Sequence, residues 1–351
     1  MPSKITSKLL YEVQNEITHT RPQRPTSIRI GLGCWQLGDD FGPISQDTAN
    51  EILAAAQQQQ VNFLDTADVY GAGLSESRIG QWLANNKHNS AQTIVATKVG
   101  RDAKLFPNQY TKQAMQKNIE GSLQRLGVDA IDLIQLHCIP REVLFAGEVF
   151  NWLEDFQQQG LIRFYGASVE MLDEAEFCLN YSKVTSLQML LNIFRQDALD
   201  TVLPLATSKN VGIIARLPLA SGLLSGKMSA ERQFSAQDHR NYNKDGAHFH
   251  VGETFNGIAF EQGLTLVEQL QQLLIEHSEL DFPTQLNLQQ IAIRWLLDLP
   301  AVSSVIAGVS KSQQLIKNAA VSELDKLPSE VTQLLADFYQ QKVQQHIRGG
   351  I

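Results

Sequence analysis

The chain has 351 residues, of which 43% are hydrophobic, and its formal net charge is −8 at pH 7. Acidic residues are spread along the chain, which argues against nucleic acid or an anionic membrane surface as partner, since both attract clustered Lys and Arg. Apolar stretches end before the roughly 20 residues that a membrane span needs. The composition is typical of a folded globular protein.

The N-terminus and the cysteines predict a cytoplasmic protein. The stretch MPSKITSKLLYEVQNE lacks the apolar core of a secretory signal. Cys34, Cys138 and Cys178 are odd in number and lack CxxC spacing. That pattern is typical of free thiols in a reducing compartment. We expect residues 1–27 to form a polar N-terminal extension.

Eight short apolar runs, rich in β-branched residues, alternate with helical patterns. They are IRIGLG (from Ile28), VNFLD (Val61), TIVATKV (Thr93), IDLIQLH (Ile131), IRFYGAS (Ile162), LQMLL (Leu187), GIIARLPL (Gly212) and VSSVIAG (Val302). Near-continuous apolar runs are typical of parallel strands buried on both faces. TKQAMQKNIEGSLQRL has an apolar stripe at helical spacing, with Thr111 as the expected N-cap, and helices are also predicted for SESRIGQWL, opening at Ser75, and for FPTQLNLQQIAIRWLLDL.

Strands that alternate with helices in this number predict a (β/α)8 TIM barrel, with a doubly wound open sheet as the alternative. Open sheets that bind nucleotides usually carry GxGxxG after the first strand, and GLGCWQLGDD lacks the third glycine. We therefore favour a barrel over residues 28–325, followed by a C-terminal helix and tail at 326–351. The long loop at 225–257, between strands 7 and 8, is expected to shape a substrate pocket.

Four polar side chains end or follow consecutive predicted strands. Asp65 ends the second strand and precedes Tyr70, Lys98 ends the third, and His137 ends the fourth. Catalytic groups of barrels lie at the carboxyl ends of strands, so these side chains can converge. A Lys98 ammonium would lower the pKa of Tyr70 from its free value of about 10, and Asp65 would keep Lys98 charged. With His137 on the substrate oxygen, such a site could protonate a carbonyl as hydride reaches the carbon.

Structural interpretations of these residues stay open. A charged residue at a strand end can lie on a solvated rim, and a buried Lys98–Asp65 pair can be purely structural. His239, His248 and His250 could ligate a metal, but their loop lacks a supporting carboxylate pattern, so a solvated loop is favoured. Joint placement on three successive strands favours the catalytic interpretation of the four residues.

The sequence resembles the aldo-keto reductase superfamily over residues 28–320. FLDTADVYGAGLSE is similar to the signature around the catalytic Asp and Tyr of that family, and ATKVG and DLIQLH resemble its Lys and His segments. The resemblance implies that Tyr70 is the proton donor and that Lys98 and Asp65 lower its pKa. It implies that His137 orients the carbonyl. It also implies that NADP(H), or less often NAD(H), binds across the top of the barrel.

The same resemblance implies the cofactor contacts. They are Gly33, Cys34, Trp35, Asp65, Ser168, Gln188, Arg216, Pro218, Leu219, Gly308, Ser310, Lys311, Gln314 and Asn318. Gln188 could donate to and accept from a nicotinamide carboxamide. Val169 stands where the family commonly has Asn, and it cannot hydrogen-bond a carboxamide. Arg216 stands where many relatives stack an aromatic ring, and this departure indicates an altered substrate or redox preference. Ser310 and Lys311 at a helix N-terminus favour the 2′-phosphate of NADP, with NAD as the alternative.

The leading hypothesis is an NADP-dependent oxidoreductase that interconverts a small-molecule carbonyl (aldehyde, ketone or sugar) and an alcohol. The alternative is a non-catalytic or weakly catalytic NADPH-binding regulatory subunit, as among the channel β subunits of the superfamily. The presence of all four polar groups favours the enzyme. A metal-dependent hydrolase is disfavoured because the sequence has no HxH near its first strand.

Overall fold

The computed structural model describes residues 29–86, 93–277 and 286–350, so the predicted extension at 1–27 lies outside the described residues. Within these ranges eight strands form a closed barrel in chain order, each parallel to both neighbours, and β8 pairs with β1. The strands are β1 Ile30–Gly33, β2 Phe63–Asp65, β3 Ile94–Val99, β4 Ile131–His137, β5 Ile162–Ser168, β6 Ser186–Leu190, β7 Gly212–Arg216 and β8 Val302–Gly308. The predicted TIM barrel is confirmed, and closure of β8 on β1 excludes the open sheet.

Helices surround the barrel. In the described ranges they are α1 Gln46–Gln58, α2 Leu74–Asn85, α3 Lys112–Leu126, α4 Arg141–Ala146, α5 Glu148–Gln158, α6 Leu172–Tyr181, α7 Val202–Lys209, α8 His239–Tyr242, α9 Phe260–Glu276, α10 Leu288–Asp298, α11 Ser312–Ala320 and α12 Ser329–Phe338. The predicted cap of α3 is confirmed, because the Thr111 hydroxyl accepts from the amide of Ala114 at 3.2 Å. No helix in the part of the chain that the structure describes is both long and apolar enough to cross a bilayer.

Two helix starts differ from the sequence prediction. Helix α2 begins at Leu74, so Ser75 lies inside it, where its hydroxyl donates to the carbonyl of Cys34 at 2.8 Å. Helix α10 begins only after Asn287, whose side chain accepts from the amide of Gln290 at 3.1 Å. The first residues of that predicted helix, at 282–285, lie outside the described residues.

The barrel interior is apolar in its lower part and polar at its carboxyl end. A small buried cluster fills the lower part, formed by Phe63, Ile94, Ala96, Leu133, Ile214 and Ile306. Alternate residues of a strand share one face. On β3, Lys98 therefore follows Ile94 and Ala96 on the interior face, and on β2, Asp65 follows Phe63. The strand pattern thus points the predicted catalytic groups into the mouth of the barrel.

The segment between β7 and β8 is folded rather than a simple loop. Asn243 is buried, and its Oδ1 accepts from the amides of His248 and Phe249, each at 3.0 Å. His239 is only 1% exposed, so the prediction of a solvated loop is wrong at this residue. Arg348, in the C-terminal tail, anchors the segment, since its Nε donates to the carbonyl of Gly257 at 2.7 Å.

Candidate active site

Lys98 is the centre of a buried polar site at the mouth of the barrel. Its ammonium donates to Asp65 Oδ2 at 2.6 Å, to the carbonyl of Thr66 at 2.8 Å and to Tyr70 Oη at 3.2 Å. The side chain of Lys98 is 1% exposed. The β2–β3 register pairs Asp65 with Ala96, which places the carboxylate beside the next interior position of β3. Three of the four predicted catalytic residues therefore meet at one ammonium.

The Asp65 carboxylate is held by two further side chains. Its Oδ1 accepts from Gln188 Nε2 at 2.7 Å and from Gln135 Nε2 at 3.1 Å. Gln135 was not predicted, although a glutamine within the apolar run IDLIQLH is a signal that could have found it. The Nε2 donor of Gln188 is committed to Asp65, and its Oε1 lies 3.5 Å from the hydroxyl of Ser168. Of its two predicted roles toward a carboxamide, only the acceptor role is left open.

Tyr70 is positioned by a tight turn and two aromatic neighbours. Gly71 follows it with φ of +57°, and a Cβ at this glycine would lie 2.1 Å from the carbonyl oxygen of Gly38, so only glycine fits. The Tyr70 ring stacks on Trp35 with centroids 5.5 Å apart and meets His137 edge-on at 5.8 Å. These contacts aim the phenol oxygen at Lys98.

The pKa of Tyr70 departs from the prediction. Burial raises the pKa of the phenol, the Lys98 ammonium lowers it, and the Asp65 carboxylate raises it, and the net direction is upward. The predicted net lowering is therefore wrong for this structure, as is the lowering effect assigned to Asp65. Burial lowers the pKa of Lys98, but Asp65 and Tyr70 raise it further, so its net direction is also upward. The site holds a neutral phenol beside an ammonium.

His137, at the end of β4, is a neutral imidazole. Its pKa lies well below its ordinary value because burial and the positive charges of Arg101 and Lys98 disfavour the imidazolium. Its Nδ1 atom is buried and has no hydrogen-bond partner among the described residues. A buried ring nitrogen without a partner is available to a bound molecule next to Tyr70.

A second group of charges, which we call the charged cluster, comprises Arg101, Glu170, Arg216 and Glu253. Arg101 Nη2 lies 2.6 Å from Glu253 Oε1 and 2.8 Å from Glu170 Oε1. Arg216 Nη1 lies 3.2 Å from Glu253 Oε2. The guanidinium of Arg216 is therefore paired with a carboxylate instead of lying free to stack. Three members of the charged cluster were not predicted from sequence: Arg101, Glu170 and Glu253. The first two each follow a barrel strand by two residues, which is a signal that could have found them.

Comparison with known proteins identifies the family. The sequence model of the Aldo/keto reductase family matches residues 29–340.

The chain belongs to the aldo/keto reductase family.

Aldo-keto reductase YhdN from Bacillus subtilis is 30% identical over 300 residues, which cover 84% of each chain. The NADH-specific methylglyoxal reductase of Escherichia coli is 24% identical over 330 residues, 88% of this chain and 93% of that one. The structure of glycerol dehydrogenase AKR11B4 from Gluconobacter oxydans superposes with a TM-score of 0.70 at 25% identity, covering 94% of this chain and 95% of that one. This aldo/keto reductase is thus an oxidoreductase of a family that uses nicotinamide cofactors and small-molecule carbonyls or alcohols.

The rim of the barrel fits a nicotinamide cofactor at the β1–β8 side. Gly33 and Gly308 end these strands and pair in register. A Cβ at Gly308 would lie 2.3 Å from the side-chain amide of Gln36, so this amide packs directly on the backbone at the end of β8. Gln36 Oε1 is buried without a partner in the described part of the chain. It could accept from an amide or a ribose hydroxyl, and the hydroxyl of Ser168 lies at the end of β5 on the same rim.

The predicted phosphate end of the cofactor site lies after β8. Gln314 Oε1 accepts from the amides of Ser310 and Lys311 at 2.8 and 3.1 Å, which caps α11 and leaves both residues exposed. Asn318 is buried, and its Oδ1 accepts from Gln289 at 2.6 Å.

The other predicted cofactor contacts differ in their solvent exposure. Cys34 is fully buried, with its thiol facing the carbonyl of Leu32 at 3.5 Å, whereas Trp35 lies against Tyr70. Pro218 and Leu219 lie in the turn after β7. The structure therefore brings Trp35, Ser310 and Lys311 to accessible positions and turns the side chains of Cys34 and Asn318 into the protein.

Proposed function

We propose that this aldo/keto reductase is an NADP(H)-dependent enzyme that interconverts a carbonyl and an alcohol by hydride transfer, with Tyr70 as the proton donor. One observation carries the proposal. A single buried ammonium, Lys98, donates both to the Asp65 carboxylate and to the phenol oxygen of Tyr70. No feature of the described residues favours the regulatory-subunit alternative, since the four polar groups of the site are present and adjacent.

Each side chain of the site would have a separate role at the substrate carbonyl. A bound nicotinamide would supply or accept the hydride. Tyr70 and the neutral His137 would donate hydrogen bonds to the substrate oxygen, and the phenol would give up its proton as negative charge develops on that oxygen. Tyrosinate then forms 3.2 Å from Lys98, whose charge Asp65 maintains.

The raised pKa of Tyr70 is compatible with this role. A neutral phenol carries the proton that reduction requires, and burial keeps the phenol in that form in the resting protein. The attraction of Lys98 is then strongest when the phenol loses its proton, that is, in the transition state rather than in the ground state. Interactions that strengthen in the transition state are the ones that accelerate the chemical step.

Replacement of Tyr70 by Phe tests the donor role. We expect Tyr70→Phe to lower the rate of aldehyde reduction by about 100- to 10,000-fold, the range that general acid catalysis contributes. Binding of NADPH, followed by quenching of protein fluorescence, should change little. Tyr165→Phe is the matched control, since it removes a phenol that lies 3.4 Å from Glu154 and makes no contact with Lys98. A Tyr70→Phe enzyme with the rate of the control would refute the assignment.

The preference for NADP rests on Ser310 and Lys311, exposed at the N-terminus of α11, where a 2′-phosphate could bind. We expect Lys311→Ala to weaken NADPH binding about tenfold, the effect of losing one charge-assisted contact, and to leave NADH binding unchanged. Lys317→Ala, in the last turn of the same helix, is the control. Titration of both cofactors against both variants measures the preference. Equal losses for NADPH and NADH would contradict a phosphate contact.

A further inference from the structure

Arg101 has hydrogen-bond donors that the protein leaves unused. Its bonds to Glu170 and Glu253 both come from Nη2, and no hydrogen bond among the described residues uses its Nε or Nη1. The side chain is 18% exposed, and its guanidinium carbon lies 5.7 Å from the centre of the Phe249 ring. The two glutamates and the ring hold the guanidinium in place, and the side chain stays partly exposed. The N–H groups of Nε and Nη1 point in different directions, so each can donate singly to an acceptor, and the positive charge favours an anionic one.

This guanidinium lies beside the proposed reaction centre. Gly100 precedes it, and a Cβ at Gly100 would lie 3.6 Å from the backbone nitrogen of His137. On the other side, Phe249 contacts Trp35 with ring centroids 6.2 Å apart, and Trp35 stacks on Tyr70. The charge of Arg101 also acts on the pKa of His137. A small molecule whose carbonyl oxygen is held by Tyr70 and His137 therefore has Arg101 as its charged neighbour.

The charge balance of the cluster favours a monoanion. Burial and the nearby Glu253 carboxylate raise the pKa of Glu170, whereas the arginines hold the pKa of Glu253 well below its ordinary value. At neutral pH the two guanidinium groups then face one ionised carboxylate, which leaves one positive charge in excess. A carboxylate neutralises that excess, whereas a phosphate dianion would bring a second negative charge next to Glu253.

We propose that Arg101 determines substrate specificity by binding the carboxylate of an oxo acid, a substrate that carries a carboxylate near its reactive aldehyde or ketone. This inference rests on the proposed function, because the carbonyl is placed at Tyr70 and His137. Glu253 and Glu170 position the guanidinium through Nη2, and Nη1 donates to the substrate carboxylate. Neutral aldehydes would react at the same centre without this contact.

Matched acids and esters test the inference. The probes are phenylglyoxylate, 3-carboxybenzaldehyde and 4-carboxybenzaldehyde, each compared with its methyl ester, and kcat/KM is measured with NADPH and with NADH. We expect at least one acid to exceed its ester at least tenfold, with the ratio falling as salt concentration rises. Acids that are no better than their esters in all three pairs would overturn the inference while leaving the proposed function intact. No turnover of any probe would overturn both.

Two substitutions test whether Arg101 causes the preference for the acid over the ester. Arg101→Met should lower the acid-to-ester ratio at least tenfold, with a smaller loss for the ester. Because Arg101→Met removes a partner of the buried Glu253 and could impair folding, Arg101→Lys is the second variant. It keeps the charge but loses the fixed position of the Nη1 donor and should lower the ratio by a smaller factor. Arg163→Met, at an arginine that is 64% exposed, is the control. A wild-type ratio in both folded Arg101 variants, or in Arg101→Lys alone if Arg101→Met does not fold, would overturn the assignment.

Discussion

The mouth of the barrel holds two buried groups of charges that are built in different ways. Lys98 and Asp65 come from neighbouring strands and are 33 positions apart in the sequence, so the β2–β3 register alone places them together. Arg101 and Glu253 are 152 positions apart, and Glu253 reaches the mouth on the long segment between β7 and β8. The proposed reaction chemistry therefore lies on the barrel strands, whereas the proposed charge recognition depends on a carboxylate from a segment outside the barrel.

The two groups also differ in what holds them. Asp65 is fixed by side chains from three barrel strands, namely Lys98, Gln135 and Gln188. Glu253 belongs to a segment whose fold depends on the buried Asn243 and on contacts with the C-terminal tail. Substitution of Lys98 or Asp65 should therefore abolish turnover. Substitutions in the segment between β7 and β8 should instead change substrate preference and local stability. Substitutions in the two groups test that division.

Removal of Lys98 should have the largest effect. Lys98→Met leaves the buried Asp65 carboxylate without its counter-charge, which costs about 3–5 kcal/mol of unfolding free energy. It also removes the charge that stabilises tyrosinate, so we expect the reduction rate to fall at least as far as in Tyr70→Phe. Urea denaturation and steady-state assays measure the two effects.

A double variant separates these two roles of Lys98. In Lys98→Met with Asp65→Asn the buried charge is gone, so most of the lost stability should return while activity stays absent. An active double variant would show that the pair is only structural. Unchanged stability in the Lys98→Met single variant would show that Asp65 does not need a counter-charge.

Low pH should destabilise the protein, partly through His239 in the segment between β7 and β8. Burial lowers the pKa of His239 from 6.5 to about 4. Between these values the unfolded chain binds more protons than the folded one, so the unfolding free energy falls as pH decreases, by on the order of 3 kcal/mol for this histidine. His137, with its lowered pKa, contributes in the same direction.

Substitution of His239 measures its contribution to the pH dependence of the unfolding free energy. His239 packs against Trp35 and Phe41 at 4.7 and 4.8 Å between ring centroids, and neither of its ring nitrogens has a hydrogen-bond partner in the described ranges. His239→Phe should therefore fold and should lose less stability than wild type between pH 6.5 and 4, measured by urea denaturation at each pH. His248→Phe, at an exposed histidine, should keep the wild-type slope. An unchanged slope in His239→Phe would contradict the burial argument.

The smallest effect is expected at the C-terminal tail. Arg348 donates to the carbonyls of Gly257 and Lys244 and pairs with Asp245 at 2.8 Å. Arg348→Ala should make the segment at 244–257 more susceptible to limited proteolysis and raise KM severalfold, since Glu253 lies on this segment, with little change in kcat. Arg163→Ala removes an exposed pair elsewhere and serves as the control. A fall in kcat of the size seen in Tyr70→Phe would contradict the separation of the two groups.

Sequence patterns predicted the features that depend on neighbouring residues and neighbouring strands. Continuous apolar runs identified every barrel strand, and the order of strand ends anticipated that Asp65, Lys98 and Tyr70 would meet. The charged cluster could not be predicted in the same way, because loop residues have no periodicity. Arg216 illustrates the limit, since it was predicted to lie in the seventh apolar run as a cofactor contact, but its carboxylate partner in a distant segment was not predicted.

Hydrophobic periodicity and strand order are local properties of the chain, so they were enough to predict the barrel and the order of polar groups at its mouth. The net direction of the Tyr70 pKa depends instead on how completely the folded chain removes the phenol from water. The fold also brings Glu253 into ion pairs with both Arg101 and Arg216. The desolvation of a group and its long-range ion pairs depend on all the residues that surround it in the fold, so they cannot be predicted from one stretch of sequence.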